Sequence, residues 1–445
     1  MFKFCENIYT DVRIEHVYET SISFTNGVLE NNKMRQYSGA FIRVFDGDRW
    51  YYKSISNLSS IQEEIENLSK MAKENKKIYD DEVVKKFQVN TGEYYSYKGF
   101  EIDKVSREDK FKLAKEAVEI TKEKTEGKNF KVNYKDSRIV KEFYSSKGSN
   151  LKFDYQLCGI RITYSFSFNG KSFSESWKDV SSNFNDLNDI KNKFEKNYKD
   201  ALDYAKNSKP VIPGKYTVVM SPGVVGVFAH ESFGHKSEAD FMVGDEKMMN
   251  EWKIGTRVGA DLLSILDYGG CLGSGYVPFD DDGTKAEKTY LIKDGILKGR
   301  LHSAKTASIL KEELTGNARA INFQFEPIVR MTNTYIEKGE KTKEELIGEV
   351  EEGIYIHNYI YGTGMSTFTI APNRAYMIRN GKIAEPVNIS VITGNVMETL
   401  YNIDGVSKEI EIKNNIWGGC GKMEQSPLPV SMGGPYIRVK NIGVQ

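Results

Sequence analysis

Asn-Gly and Asp-Gly pairs punctuate this chain, five of them placed as turns between strand-like runs: Asn26-Gly27, Asp46-Gly47, Asn169-Gly170, Asp294-Gly295 and Asn380-Gly381. Each stands between alternating or apolar runs. A two-residue type I′ hairpin turn needs positive φ at both central positions, which these residue pairs tolerate, so antiparallel sheet is expected along the whole length. Helical patterns lie between the hairpins. Ile61, Ile65, Leu68 and Ala72 follow a Ser60/Glu63 capping box, Ser106 and Asp109 open a second helix, and Ile190, Phe194, Ala201 and Leu202 mark a third. The third ends in a Pro/Gly-containing stretch, Asn207 to Gly214, which reads as a boundary. Beyond it the pattern is mainly short strands with Gly-rich turns and two helices, the clearer being Thr342 to Glu352 with a Thr342/Glu345 cap and Gly353 just past its end. The expected fold class is α+β. An N-terminal α/β hairpin-and-helix region, 1–208, precedes a β-rich C-terminal domain, 209–445, that carries the candidate metal helix.

At ~150 residues per domain, 445 residues suffice for two or three cores. Lys plus Arg and Asp plus Glu both total 62, a formal net charge of zero, so no global field gathers nucleic acid or anionic lipid. Neither nucleic acid nor a membrane is an expected partner. The most apolar stretch, Val218 to Ala229, is too short for the ~20 residues that span a bilayer. The first residues lack the apolar run of a secretory signal, and the four cysteines are scattered without CxxC spacing. A cytoplasmic location is the expectation.

The segment from Ser221 to His235 carries the chemistry. Ser221 suits an N-cap and Pro222 a first helical turn, which places His230, Glu231 and His235 on the later turns. Zinc peptidases commonly space their two histidines at i and i+4, whereas here the spacing is i and i+5. On a regular helix five residues turn ~500°, leaving the imidazoles ~140° apart and unable to share an ion. A π-type turn closes i to i+5 and restores the alignment, so a π-bulge is predicted between His230 and His235, with Gly234 easing it. A catalytic zinc ion typically takes three protein ligands and leaves a position for water. Candidates for the third are Glu238, Asp240, His16, His302 and His357, together with Cys271 and Cys420, each of which sits in a Gly-rich turn. Residue chemistry alone leaves these cysteines tied. Asp280-Asp281-Asp282-Gly283 lacks the ligand spacing of an EF-hand loop and reads as structural.

Several segments together carry a resemblance: the His-Glu-x-x-x-His motif, Phe279-Asp-Asp-Asp-Gly283, Thr315-Gly-Asn-Ala-Arg319, Arg330-Met-Thr-Asn333, Gly418-Gly-Cys-Gly-Lys-Met-Glu-Gln425 and Pro429-Val-Ser-Met-Gly-Gly-Pro435. In that order they resemble the TldD branch of the TldD/PmbA family of zinc metallopeptidases, over essentially the whole second half. The resemblance implies His230, His235 and Cys420 as ligands of Zn2+ and Glu231 as general base, which breaks the tie against Cys271. The PmbA branch lacks the His-Glu-x-x-x-His residues. The implied function is a zinc-dependent peptidase hydrolysing short or unfolded peptides with metal-activated water. The alternative is an inactive metal-binding partner or scaffold subunit of a peptide-processing complex. The family also implies a dimer, with a PmbA-like partner or with a second copy.

Overall fold

The computed structural model describes residues 2–168 and 171–445. Among them the fold is α+β, built on two large sheets. The first has the order Trp50–Ile55, Val28–Phe45, Tyr9–Thr25, Phe130–Ser145, Asn150–Phe168. Lys171–Ser181 and the short strand Thr91–Tyr94 both pair with the last of these, and only Thr91–Tyr94 runs parallel to its neighbour. Helices cover one face. Arg107–Thr125 and Ile190–Asn207 lay Ala114, Ala117, Val118, Phe194 and Ala201 on Val132, Tyr134, Ile160 and Ile162. Ile61–Met71 packs its Ile61, Ile65 and Leu68 face against Ala40, Ile42 and Val44.

The second sheet closes on itself. Ser431–Val444 pairs with Gly214–Met220, which pairs with Glu352–Gly364, then Thr367–Arg379, then Ile392–Asn395, and this last strand returns to Ser431–Val444. Lys382–Asn388, Ile403–Lys413 and Asn333–Ile336 branch from this closed ring. The helix Pro222–Ala229 is buried along most of its length against Ser431–Val444, Glu352–Gly364 and Ile403–Lys413. Gly226 permits that approach, since a Cβ there would lie 2.3 Å from the Gly433 amide nitrogen. Among the described residues, no helix is long and apolar enough to cross a membrane.

Asn26-Gly27, Asp294-Gly295 and Asn380-Gly381 form hairpin turns with positive φ at both residues. Asn169-Gly170 lies outside the described residues. Asp46-Gly47 departs from the expected type: the loop between Phe45 and Trp50 is longer, and the Asp46 carboxylate accepts the amides of Asp48 and Arg49, an Asx-type closure. The Ser60/Glu63 box does not form, because the Ser60 hydroxyl donates to the Asn57 carbonyl at 2.8 Å and Asn57 caps a preceding 3-10 turn. The helix after the Thr342/Glu345 box stops at Gly348. Gly353 belongs instead to the next strand, where a Cβ would lie 2.6 Å from the Thr217 carbonyl oxygen. The second half is also less fragmented than its sequence implies. It holds strands of 13 and 14 residues and, among the described residues, the further helices Glu246–Glu251, Ala304–Leu310 and Val396–Tyr401.

The run Asp280–Asp282 joins the two sheets. Asp282 pairs with Arg43 at 2.8 Å, and Arg43 also pairs with Asp11 at 2.7 Å. Asp281 takes Lys141 at 2.7 Å and Arg13 at 3.4 Å, while Asp280 accepts the amides of Asp282, Thr284 and Ala318. Arg43 is 5 % exposed, Asp11 2 % and Asp282 3 %, so these charges have protein partners in place of water. Arg43→Met is therefore expected to destabilise the protein by about 3–5 kcal/mol, because it strands two buried carboxylates. Urea unfolding of the variant against wild type reads this directly.

Candidate metal centre

The buried helix Pro222–Ala229 is followed by a π-helical turn, His230–Gly234. The His235 amide donates to the His230 carbonyl, five residues back, and this bond brings both imidazoles to one side. Their ring centroids lie 5.0 Å apart. Gly234 has φ −55°, which any residue adopts, so its contribution is space rather than backbone freedom: a Cβ there would run into the Met331 Sδ at 2.1 Å. Gly364 lets the neighbouring hairpin close over the turn, where a Cβ would meet the Glu231 carbonyl oxygen at 2.9 Å.

Cys420 comes from a distant hairpin, Cys420–Lys422 with Gln425–Leu428. Gly419 is required there, since its Cβ would fall 2.0 Å from the Leu428 carbonyl oxygen. Buried Arg330 fixes the hairpin through its backbone, donating to the Cys420 carbonyl at 2.8 Å and to the Gln425 carbonyl at 3.1 Å. Asn317 donates to Arg330's own carbonyl, and Arg319 donates to the carbonyls of Met331 and Pro429. The segments around residues 315–319 and 330–333 thus serve to place the cysteine.

One donor atom from each of His230, His235 and Cys420 lies within 4.8 Å of the others, a set that could hold a metal ion. His235 Nε2 is 3.5 Å from Cys420 Sγ, and its Nδ1 is 3.0 Å from Glu238 Oε2. His230 is 1 % exposed, and among the described residues neither ring nitrogen has a hydrogen-bond partner. Burial pushes the Cys420 thiol up, but the two imidazoles outweigh it and bring it down to about 4. Burial lowers His235, while Cys420 and Glu238 raise it further, to about 10. The cysteine is therefore held as thiolate, the form that ligates metals. Glu231, partly exposed beside this set, has its carboxyl raised by burial against the opposing pull of His230 and His235.

The other sequence candidates are accounted for elsewhere. Glu238 orients His235 and is held by Lys422 at 3.3 Å, and Lys422 also binds Asp240 at 2.6 Å. A carboxylate on the far nitrogen of a ligating histidine sets its tautomer and ring direction. Lys422 and Arg330 escaped the sequence reading as positioning groups, although both lie in the quoted motifs. His302 is bound between Thr306 and Glu312, His16 between Ser38 and Glu142, and His357 contacts Tyr355. Cys271 is exposed and outside the cluster.

Two imidazoles and a thiolate are donor types that metal sites use, and the Glu231 carboxylate stands beside them. The C-terminal domain model of the PmbA/TldA metallopeptidases matches residues 213–445, and the model of their domain 1 matches residues 10–76. The chain is 44 % identical over 238 residues to a metalloprotease of Synechocystis, a match covering 53 % of this chain and 51 % of that one. It is 29 % identical over 448 residues to a zinc metalloprotease TldD homolog of Saccharolobus solfataricus, covering 98 % and 96 %. The crystal structure of TldE from Thermococcus kodakarensis shares the fold, with a TM-score of 0.77 at 17 % identity over 98 % of this chain and 96 % of that one. The chain belongs to the PmbA/TldD metallopeptidase family and is, by that homology, a metalloprotease.

Proposed function

We propose that this protein is a zinc-dependent peptidase acting on short or unfolded peptides, with His230, His235 and Cys420 as ligands and Glu231 as general base. The observation that carries the reading is His230, buried with both ring nitrogens unpartnered and facing a second imidazole and a thiolate. A buried polar atom left unsatisfied costs about 1–3 kcal/mol, a cost that a bound ion removes. The donors suit zinc, which favours nitrogen and sulfur and takes three protein ligands at catalytic sites. When bound there, zinc supplies Lewis acidity toward a peptide carbonyl and brings the pKa of water toward ~7.

The chain's own groups do the rest. Glu231, next in sequence to His230 and partly open to solvent, takes the proton of the attacking water and returns it to the departing amine. Its raised carboxyl suits that exchange better than an ordinary solvated glutamate. Glu238 holds His235 by Nδ1, which leaves Nε2 directed toward the thiolate side. Lys422 neutralises Glu238 in its buried position.

The same reading divides the chain into 1–208 and a metal-bearing region, 209–445, a division supported by the two separate sheets. It also takes a cytoplasmic location, which rests on the four cysteines scattered without CxxC spacing, and a dimer with a PmbA-like partner or with itself, which rests on the family resemblance. The test is hydrolysis of an unfolded polypeptide by purified protein, followed by chelation. Turnover is expected to fall to background on chelation and to return when zinc is restored. Turnover indifferent to chelator would overturn the proposal.

A further inference from the structure

The long helices cover one face of the first sheet, the short helices Glu82–Lys86 and Ala304–Leu310 pack on the other face only around Tyr9 and Phe45, and the remainder of that second face, around Ser21 and Arg161, carries a concentration of positive charge. Lys33 and Lys135 flank Ser21 in register, and Arg161 stands directly opposite Lys178. Among the described residues none of these four cations has an acidic partner within 4 Å, whereas their neighbour Arg35 is paired with Glu19. Like charges opposite one another across strands destabilise a sheet, so Arg161 and Lys178 are an unusual pair to leave unneutralised. On a chain of zero net charge this is a local field rather than a general property.

The face is also concave. A groove of about 490 Å³ is lined by Asn31, Lys33, Asn133, Lys135 and Trp417 together with Arg35 and Glu19, which neutralise each other. Asn133 Nδ2 is buried there without a hydrogen-bond partner. The groove connects to the candidate metal centre along the chain, through Trp417. That ring packs on Gly159, where a Cβ would lie 2.9 Å from it, and the Arg161 guanidinium stacks over it at 5.1 Å. Lys135 also donates to the neighbouring Ile416 carbonyl at 3.4 Å. Only Gly418 and Gly419 separate Trp417 from Cys420, a chain reach of about 10 Å. About three residues of extended peptide span that distance.

We infer that this basic groove binds an acidic segment of the polypeptide substrate, holding aspartate or glutamate side chains a few residues from the bond to be cleaved. The inference rests on the peptidase reading for the identity of its ligand. Unpaired cations beside polar Ser and Asn side chains complement carboxylates, and the linkage to the Cys420 loop makes the carboxylates those of a substrate.

Fluorescence anisotropy on the full chain tests it, using a labelled unfolded peptide with a Glu/Asp-rich flank and its Gln/Asn-matched counterpart, each with free and amidated C-termini. A single-stranded oligonucleotide of equal charge is the third probe. The acidic peptide is expected to bind roughly tenfold tighter than its neutral match, with or without the terminal carboxylate, and increasing salt should erase the difference. Lys33→Gln/Lys178→Gln should abolish the preference. Neither lysine side chain makes a hydrogen bond or ion pair among the described residues, and both backbones keep their strand pairing in the variant, so the fold is not at stake. Equal binding of the two peptides, a preference that survives the double variant or vanishes on amidation, or tighter binding of the oligonucleotide would overturn the inference. Binding preference without turnover would uphold the groove and count against the peptidase reading, and turnover without preference would do the reverse.

Discussion

Glu231→Gln is expected to lower peptide turnover by about 10²–10⁴-fold while leaving zinc content and fold unchanged. The amide keeps the size and shape of the carboxylate but cannot accept the water's proton at neutral pH. The side chain is partly exposed and belongs to a turn whose backbone is set by the His235-to-His230 hydrogen bond, so packing gives no reason for the variant to unfold. Rates should be read as kcat and KM separately. A loss confined to kcat is the signature of a group acting in the transition state, whereas a rise in KM alone would make Glu231 a binding residue. Retained turnover would transfer the general-base role to another group.

Cys420→Ala is expected to abolish stoichiometric zinc binding, a larger effect than the ~10–100-fold weakening typical when an outer-shell partner of a ligand is lost. The hairpin itself should survive, because Arg330 holds it through the carbonyls of Cys420 and Gln425 and Gly419 sets its close approach to Leu428. Loss of metal in a folded variant separates a catalytic centre from a structural one, whose removal would unfold the second half. Circular dichroism and thermal unfolding of the metal-free variant make that distinction.

The π-turn was legible because its physics is local. An i to i+5 histidine pair admits one backbone solution on a helix, and the structure has it at His230–Gly234. Hairpin turns at Asn26-Gly27, Asp294-Gly295 and Asn380-Gly381 were legible for the same reason, since their positive φ angles belong to the residue pair itself. Tertiary demands were not. Gly353 looked like a helix terminator but is small because a neighbouring strand passes close to it, and Ser60 gave up its cap to an upstream 3-10 turn. The closed sheet depends on the pairing of Ile392–Asn395 with both Thr367–Arg379 and Ser431–Val444, which no local pattern encodes. Asp280–Asp282 was read as structural, yet its partners Arg13, Arg43 and Lys141 lie more than 130 residues away in sequence. The choice of Cys420 over Cys271 came from the family resemblance alone, since spacing could not reveal which Gly-rich turn folds back to the histidines.

The central claim is that two imidazoles from the π-turn and the Cys420 thiolate hold one zinc ion. Metal content by mass spectrometry on untagged protein, with wild type, Cys420→Ala and Cys271→Ala prepared identically, tests it most directly. The account predicts near-stoichiometric zinc in wild type and Cys271→Ala and its loss in Cys420→Ala. A folded wild-type protein that takes up no zinc when zinc is supplied, or a Cys420→Ala variant that retains it, would contradict the account.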